Sequence, residues 1–197
     1  MSKRVQQFAG AYALAVVRPD SPELRLARSL LPGAQGRSYT LPVSLTDPDG
    51  LTGDIVKAVV GQFRRSWRDC GKLAPLLRGR TDEETFRSVW QFTRRQITYL
   101  LDRPPGNQYI KTPRAVLMSG TADCKGLATL QNALLACLGY QPAFKFAGYV
   151  PGGEFTHVYS QVADRAGTTY ILDACLPAFG MEKKPEISRV IPALATT

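Results

Sequence analysis

The sequence predicts an α+β fold, with helices packed on an antiparallel β-sheet and a nucleophilic side chain at a helix N-terminus. Three observations point to it. Apolar residues recur at helical spacing between residues 54 and 101 and again between 123 and 138. Beyond Gly139 the pattern changes to short runs rich in β-branched and aromatic residues, separated by turn residues. Helices first and strands afterwards mark an α+β layout, not the alternation of a parallel α/β sheet.

A chain of 197 residues suits one domain with a real core, and a hydrophobic fraction of 44% with 21% charged residues excludes general disorder. No apolar run is long enough to span a bilayer, so no membrane insertion is expected. Lys3 and Arg4 precede an apolar patch, Ala9 to Val17, but no small-residue cleavage site follows it. The expected location is therefore cytoplasmic, where thiols stay reduced.

The net charge of +9 makes the surface basic and favours acidic partners. Between Lys57 and Arg95, ten Lys/Arg stand against four Asp/Glu. A solvated helix face accounts for that excess. No nucleic-acid-binding signature accompanies it, so nucleic acid is not an expected partner.

In chain order, Val5–Val17 fits a strand or a short helix. Prolines 19, 22, 32, 42 and 48, with Gly33, Gly36 and Gly50, then punctuate an extended arm over residues 1–50. A first helix is expected from Asp54 to about Lys72, with Val56, Val59, Val60, Phe63 and Trp67 on one face. A second runs from Thr81 to about Leu101, with Thr81 and Glu84 forming a capping box and Phe86, Val89, Trp90, Ile97 and Leu100 in the buried stripe. Asp102–Gly106 ends it through two prolines. Thr112-Pro113 opens a short helix that stops near Ser119-Gly120. A third long helix, from about Asp123 to Leu138 with Gly139 at its C-terminus, is apolar on most sides and belongs at the centre of the core. Strands are expected over Pro142–Val150, Phe155–Val162 and Thr168–Leu172.

Three residues on these elements carry chemistry. Cys124 falls in the first turn of the apolar helix, where unpaired N–H groups and the helix dipole favour a thiolate. His157, the chain's single histidine, lies in the second strand. Asp173 follows three large apolar residues, Tyr170-Ile171-Leu172, and such a carboxylate is costly to bury without a partner. If Arg165-Ala166-Gly167 is a three-residue hairpin loop with Gly167 left-handed, Asp164 pairs with Thr168 and His157 stands opposite Cys175. Asp173 is then one two-residue step away on the same face. A two-residue loop would put the two side chains on opposite faces.

With Cys124 as nucleophile, His157 as general base and Asp173 as its orienting carboxylate, the expected reaction is acyl transfer through a thioester. No C-x-x-C pair occurs, and a single histidine argues against a structural zinc site, so neither a metal nor a cofactor is expected. Cys137 reads as core, Cys70 as helix-terminal packing, and Cys175 as a neighbour of the site without a role.

Thr121-Ala122-Asp123-Cys124 at a helix start and Leu134-Leu135…Leu138-Gly139-Tyr140 at its end are followed by Phe155-Thr156-His157-Val158-Tyr159 and Tyr170-Ile171-Leu172-Asp173. Together they resemble the transglutaminase-like superfamily of cysteine enzymes. The resemblance covers about residues 80–185 and implies a papain/transglutaminase-like core. It also implies the Cys-His-Asp triad at Cys124, His157 and Asp173, and a protein or peptide substrate cleaved by a hydrolase or transferred by an acyltransferase. The family motif carries Gly-Asp-Cys, and here Ala122 precedes Asp123. Lys125, after the cysteine, favours a thiolate electrostatically. No clustered acidic pattern suggests calcium gating.

Thr112-Pro113 and Phe179-Gly180…Glu182-Lys183 are similar to a branch found in tailed phages and prophages, which makes phage structural proteins candidate partners and the host cytoplasm or a virion the implied location. An alternative in a different class is a non-catalytic assembly or scaffolding protein, such as one of a phage particle, that retains the fold. The expected organisation is an N-terminal arm over 1–50, a transglutaminase-like domain over 51–185 and a tail over 186–197.

Overall fold

A computed structural model describes residues 20–32, 40–44, 53–101 and 107–195. The readings of Val5–Val17 and Asp102–Gly106 fall outside them. A short helix, α1 (Pro22–Ser29), lies within the stretch expected as an arm and buries Leu24 and Ala27. Strand β1 (Thr40–Ser44) pairs antiparallel with β3 (Asn107–Lys111).

Helix α2 (Gly53–Ser66) is shorter than its periodicity suggests, and Trp67–Cys70 continues as a 3₁₀ turn. Ser66 Oγ donates back to the carbonyl of Gln62 at 2.7 Å, a local bond that competes with the regular ladder. Helix α3 (Asp82–Gln96) starts where the capping box places it: Thr81 Oγ1 accepts from Glu84 N–H at 3.1 Å, while Glu84 reaches back to Arg80 N–H at 2.8 Å. It ends five residues earlier than expected. Ile97 is extended, and β2 (Thr98–Tyr99) pairs in parallel with β4 (Thr121–Ala122). Thr98 N–H donates to Gly120 and Leu100 N–H to Ala122, at 2.8 and 2.9 Å. Those sheet bonds override the helical period, and Leu100 is exposed instead of core.

Helix α4 (Pro113–Ser119) starts and stops where the sequence predicts; the structure adds that Thr112 is its N-cap and that Gly120 is left-handed. Helix α5 (Cys124–Cys137) is buried along nearly its whole length. It closes in a Schellman motif, with Tyr140 N–H on Leu135 O, Gly139 N–H on Ala136 O and Gly139 at φ 90°. Gly126 is required by close packing: a Cβ there would meet Ala122 Cβ at 2.7 Å and Val116 Cγ2 at 3.2 Å.

Strands β5 (Ala143–Gly148), β6 (His157–Ala163), β7 (Thr169–Leu172) and β8 (Ile187–Pro192) form one antiparallel sheet in the order β7-β6-β5-β8. The sequence reading placed residues 186–197 in a tail; Ile187–Pro192 instead pairs with β5 as an edge strand. Phe144, Phe146, Val158, Val162 and Leu172 are buried with α5, α2 and α3 in a single core. No helix among the described residues is long and apolar enough to cross a membrane.

Candidate active site

Cys124 is delivered by β4 and the cap of α5. The parallel β2–β4 pair fixes the chain up to Ala122, and Asp123 then caps the helix by accepting from Gly126 N–H at 3.1 Å. Cys124 is thus the first residue of α5 and is buried. The buried Lys125 ammonium contacts the other oxygen of Asp123, so a cation neutralises the capping carboxylate beside the sulfur.

His157 opens β6 opposite Ala147. The β6–β7 hairpin has the loop and register expected: Gly167 is left-handed at φ 87°, Asp164 N–H donates to Thr168 O at 2.9 Å, and Ser160 stands opposite Leu172. Asp173 follows the last paired residue of β7. Its Oδ2 lies 2.8 Å from His157 Nε2, and both side chains are buried. The Cys124 thiol neighbours the same imidazole and interacts with it. The three residues singled out in the sequence therefore come together around one ring.

Burial alone would pull the ring's pKa down. The hydrogen bond to Asp173, the interaction with Cys124 and the charge of the Asp173 carboxylate outweigh it and push the value up to about 10 from an ordinary 6.5. The ring therefore favours the imidazolium form, the counter-ion a thiolate needs. Around it stand Tyr159, with centroids 5.5 Å apart, and Tyr149, at 6.4 Å. Tyr159 donates to Glu182 at 2.5 Å, and Lys145 pairs with the same carboxylate oxygen at 2.6 Å. That network ties the segment after Asp173 to the sheet.

Sequence patterns missed the supports of Asp173. Cys175 N–H donates to its Oδ1 at 2.9 Å, Trp90 Nε1–H to its carbonyl at 2.9 Å, and Arg94 to the carbonyl of Ala174 at 3.0 Å. Cys175 is buried and free, and burial beside Asp173 pushes its thiol well above the usual range. His157, Asp173 and Cys175 offer ligand atoms within 4.8 Å of one another, the spacing of a three-donor metal site, but the first two are engaged with each other. Cys70 is buried at the end of the 3₁₀ turn after α2, as read from the sequence, whereas Cys137, read as core, is half-buried against it. Burial raises both thiols, Cys137 to about 11, and Cys137 Sγ contacts the Trp67 carbonyl at 3.3 Å.

A family model for the transglutaminase-like domain matches residues 68–184, more than half of the chain. No curated protein matches in sequence. Among solved structures, the chain is similar to a provisionally assigned protease from Parabacteroides distasonis, at TM-score 0.46 and 11% identity over 71% of this chain and 30% of that one. It is similar too to a provisionally assigned cysteine protease from Cytophaga hutchinsonii, at TM-score 0.45 and 17% identity over 64% of this chain and 43% of that one. A third structure, of a TGase, gives TM-score 0.40 and 15% identity over 68% of this chain and 35% of that one. The chain spans less than half the length of each of these structures.

Proposed function

The chain belongs to the transglutaminase-like domain family, and from that membership and the geometry of its buried site we propose that it is a cysteine hydrolase or acyltransferase acting on a peptide or amide bond. One observation carries the reading: a single buried imidazole lies 2.8 Å from a buried carboxylate and beside the thiol of a cysteine at a helix N-terminus.

The steps follow from who holds which proton. Nε2 is engaged by Asp173, so Nδ1 is the nitrogen left to accept the Cys124 proton. The sulfur attacks the carbonyl carbon, and the charge that develops on oxygen falls near the start of α5. There the backbone N–H of Cys124 has no intrahelical acceptor and can donate. Collapse of the tetrahedral intermediate breaks the C–N bond. His157 gives its proton to the departing amine, and a thioester remains on Cys124. The ring next takes a proton from the incoming acceptor, water for hydrolysis or a primary amine for transamidation. The second collapse returns that proton to sulfur. Asp173 keeps the imidazole turned toward the thiol and stabilises its charged form throughout.

The branch of tailed phages and prophages is part of this proposal through Thr112-Pro113 and the Phe179–Lys183 segment, and it makes phage structural proteins the first substrates to try.

Labelling with a thiol-reactive peptide electrophile tests the assignment. Burial raises the thiols of Cys70, Cys137 and Cys175 and keeps them protonated, so wild type should take a single adduct, at Cys124, at neutral pH. Cys124→Ala should take none while keeping its circular dichroism and melting temperature. Total labelling equal to wild type would overturn the assignment. Mass analysis of products with and without an added alkylamine then separates hydrolysis from transamidation.

A further inference from the structure

Helix α3 has no residue in the proposed triad, yet one of its faces grips the segment that carries Asp173. The β6–β7 ladder ends at Ser160 opposite Leu172, so Asp173 lies one residue past the last paired position of the sheet. Its backbone is held instead by a turn, Leu176 N–H on Asp173 O at 3.1 Å, and by α3. The buried Trp90 indole N–H donates to Asp173 O at 2.9 Å, and one helical turn later Arg94 donates to Ala174 O at 3.0 Å. Further along the segment, Phe179 packs on the Trp90 ring at 6.1 Å and lies under the Arg87 guanidinium at 4.4 Å. Residues 87, 90 and 94 share one side of the helix, and all three contact the segment 173–179.

A buried indole N–H and a buried carbonyl each need a partner, and here the carbonyl that serves the indole belongs to the residue whose carboxylate meets His157. Asp173 Oδ2 meets the ring at 2.8 Å, and a shift of about an ångström at the backbone would turn that short charged bond into a long one. We propose that Trp90, seconded by Arg94, is a positioning residue: its indole N–H fixes the backbone of Asp173 so that the carboxylate meets His157. The inference deepens the triad reading and rests on it for its functional meaning.

His157 is the chain's only histidine, so the imidazole signals in a ¹⁵N-edited spectrum of the full chain belong to one residue, and their titration reads the Asp173 bond without any turnover. Trp90→Phe keeps an aromatic ring against Phe179 and removes the donor. The His157 pKa should fall by about one unit, the size expected when a charged hydrogen bond loosens. Arg94 is largely exposed, so Arg94→Met should keep the fold and shift the ring the same way by less. Val89→Ala, a buried cut in the same helix with no bond to the segment, should lower the melting temperature and leave the titration unchanged. A titration in Trp90→Phe and Arg94→Met that matches wild type would overturn the inference. So would an equal shift in Val89→Ala. Failure of the triad reading shows separately, as undiminished labelling of Cys124→Ala.

Discussion

Replacing Asp173 by Asn removes one charge from the site and changes almost no volume, so its consequences can be worked from the geometry. The His157 ring stands at about 10, roughly 3.5 units above its ordinary 6.5, although burial pulls it the other way. Much of what raises it comes from Asp173. In Asp173→Asn the amide oxygen can still accept from Nε2–H, but the charge is gone, and burial should carry the ring to about 7 or lower, a fall of about three units. At about 1.4 kcal/mol per unit that is on the order of 4 kcal/mol, which agrees with the roughly 3–5 kcal/mol lost when one partner of a buried ion pair is removed. The sign sets the pH window. A pKa raised in the folded state stabilises the fold fully below the unfolded value of about 6.5, and the contribution fades as pH rises through about 10. Wild type should therefore lose stability between those limits, and the gap to Asp173→Asn should close as it does. Chemical denaturation at pH 6, 8 and 10, with the imidazole titration of each protein, makes the test. A variant ring still protonated above pH 9, or a gap that widens with pH, would refute the reasoning.

Two further substitutions probe the nucleophile's seat. Gly126→Ala places a methyl 2.7 Å from Ala122 Cβ and 3.2 Å from Val116 Cγ2. The overpacking costs about 1–3 kcal/mol, which better helix propensity offsets by about 1. The expected result is a melting temperature lower by about 3–6 °C by calorimetry, with slower labelling of Cys124. Lys125→Met leaves the buried Asp123 carboxylate beside the sulfur without its ammonium. Stability should fall by about 3 kcal/mol in urea and labelling of Cys124 at pH 7 should slow, with both effects reduced when Asp123→Asn is added.

Where bonding is local, the sequence was readable. The Thr81 cap, the helix starts at Thr112-Pro113 and about Asp123, the helix ends near Gly120 and Gly139, and the Arg165-Ala166-Gly167 loop are all visible in a few consecutive residues, and each sits where expected. The loop has wider reach than the others, because its length decides whether His157 and Asp173 share a face. What stayed hidden depends on distant partners. Ile97–Tyr99 reads as helix until Gly120 and Ala122 are known to offer carbonyls. Strand β8 carries mostly exposed or half-buried side chains and has no buried stripe to betray it; β5 supplies its bonds. Trp90 reads as core and is core, but its N–H meets a carbonyl 83 residues away, which no periodicity encodes.

The three proposed catalytic groups are therefore held by two supports of different kinds. Thiol and imidazole are set by how α5 lies on β6, and that contact includes a buried hydrogen bond from Ser160 Oγ to the carbonyl of Ala128 at 3.2 Å. Ala128 is about one helical turn beyond Cys124 and Ser160 is three residues beyond His157, so the bond sits close behind the site. It belongs to the central core and can fail only with the fold. The carboxylate depends instead on a turn and on donors from α3, Arg94 among them at the surface, which can loosen while the sheet remains intact. Changes in α3 should accordingly grade the basicity of His157 without separating it from Cys124, whereas changes at the α5–β6 contact should cost the fold before they tune the chemistry.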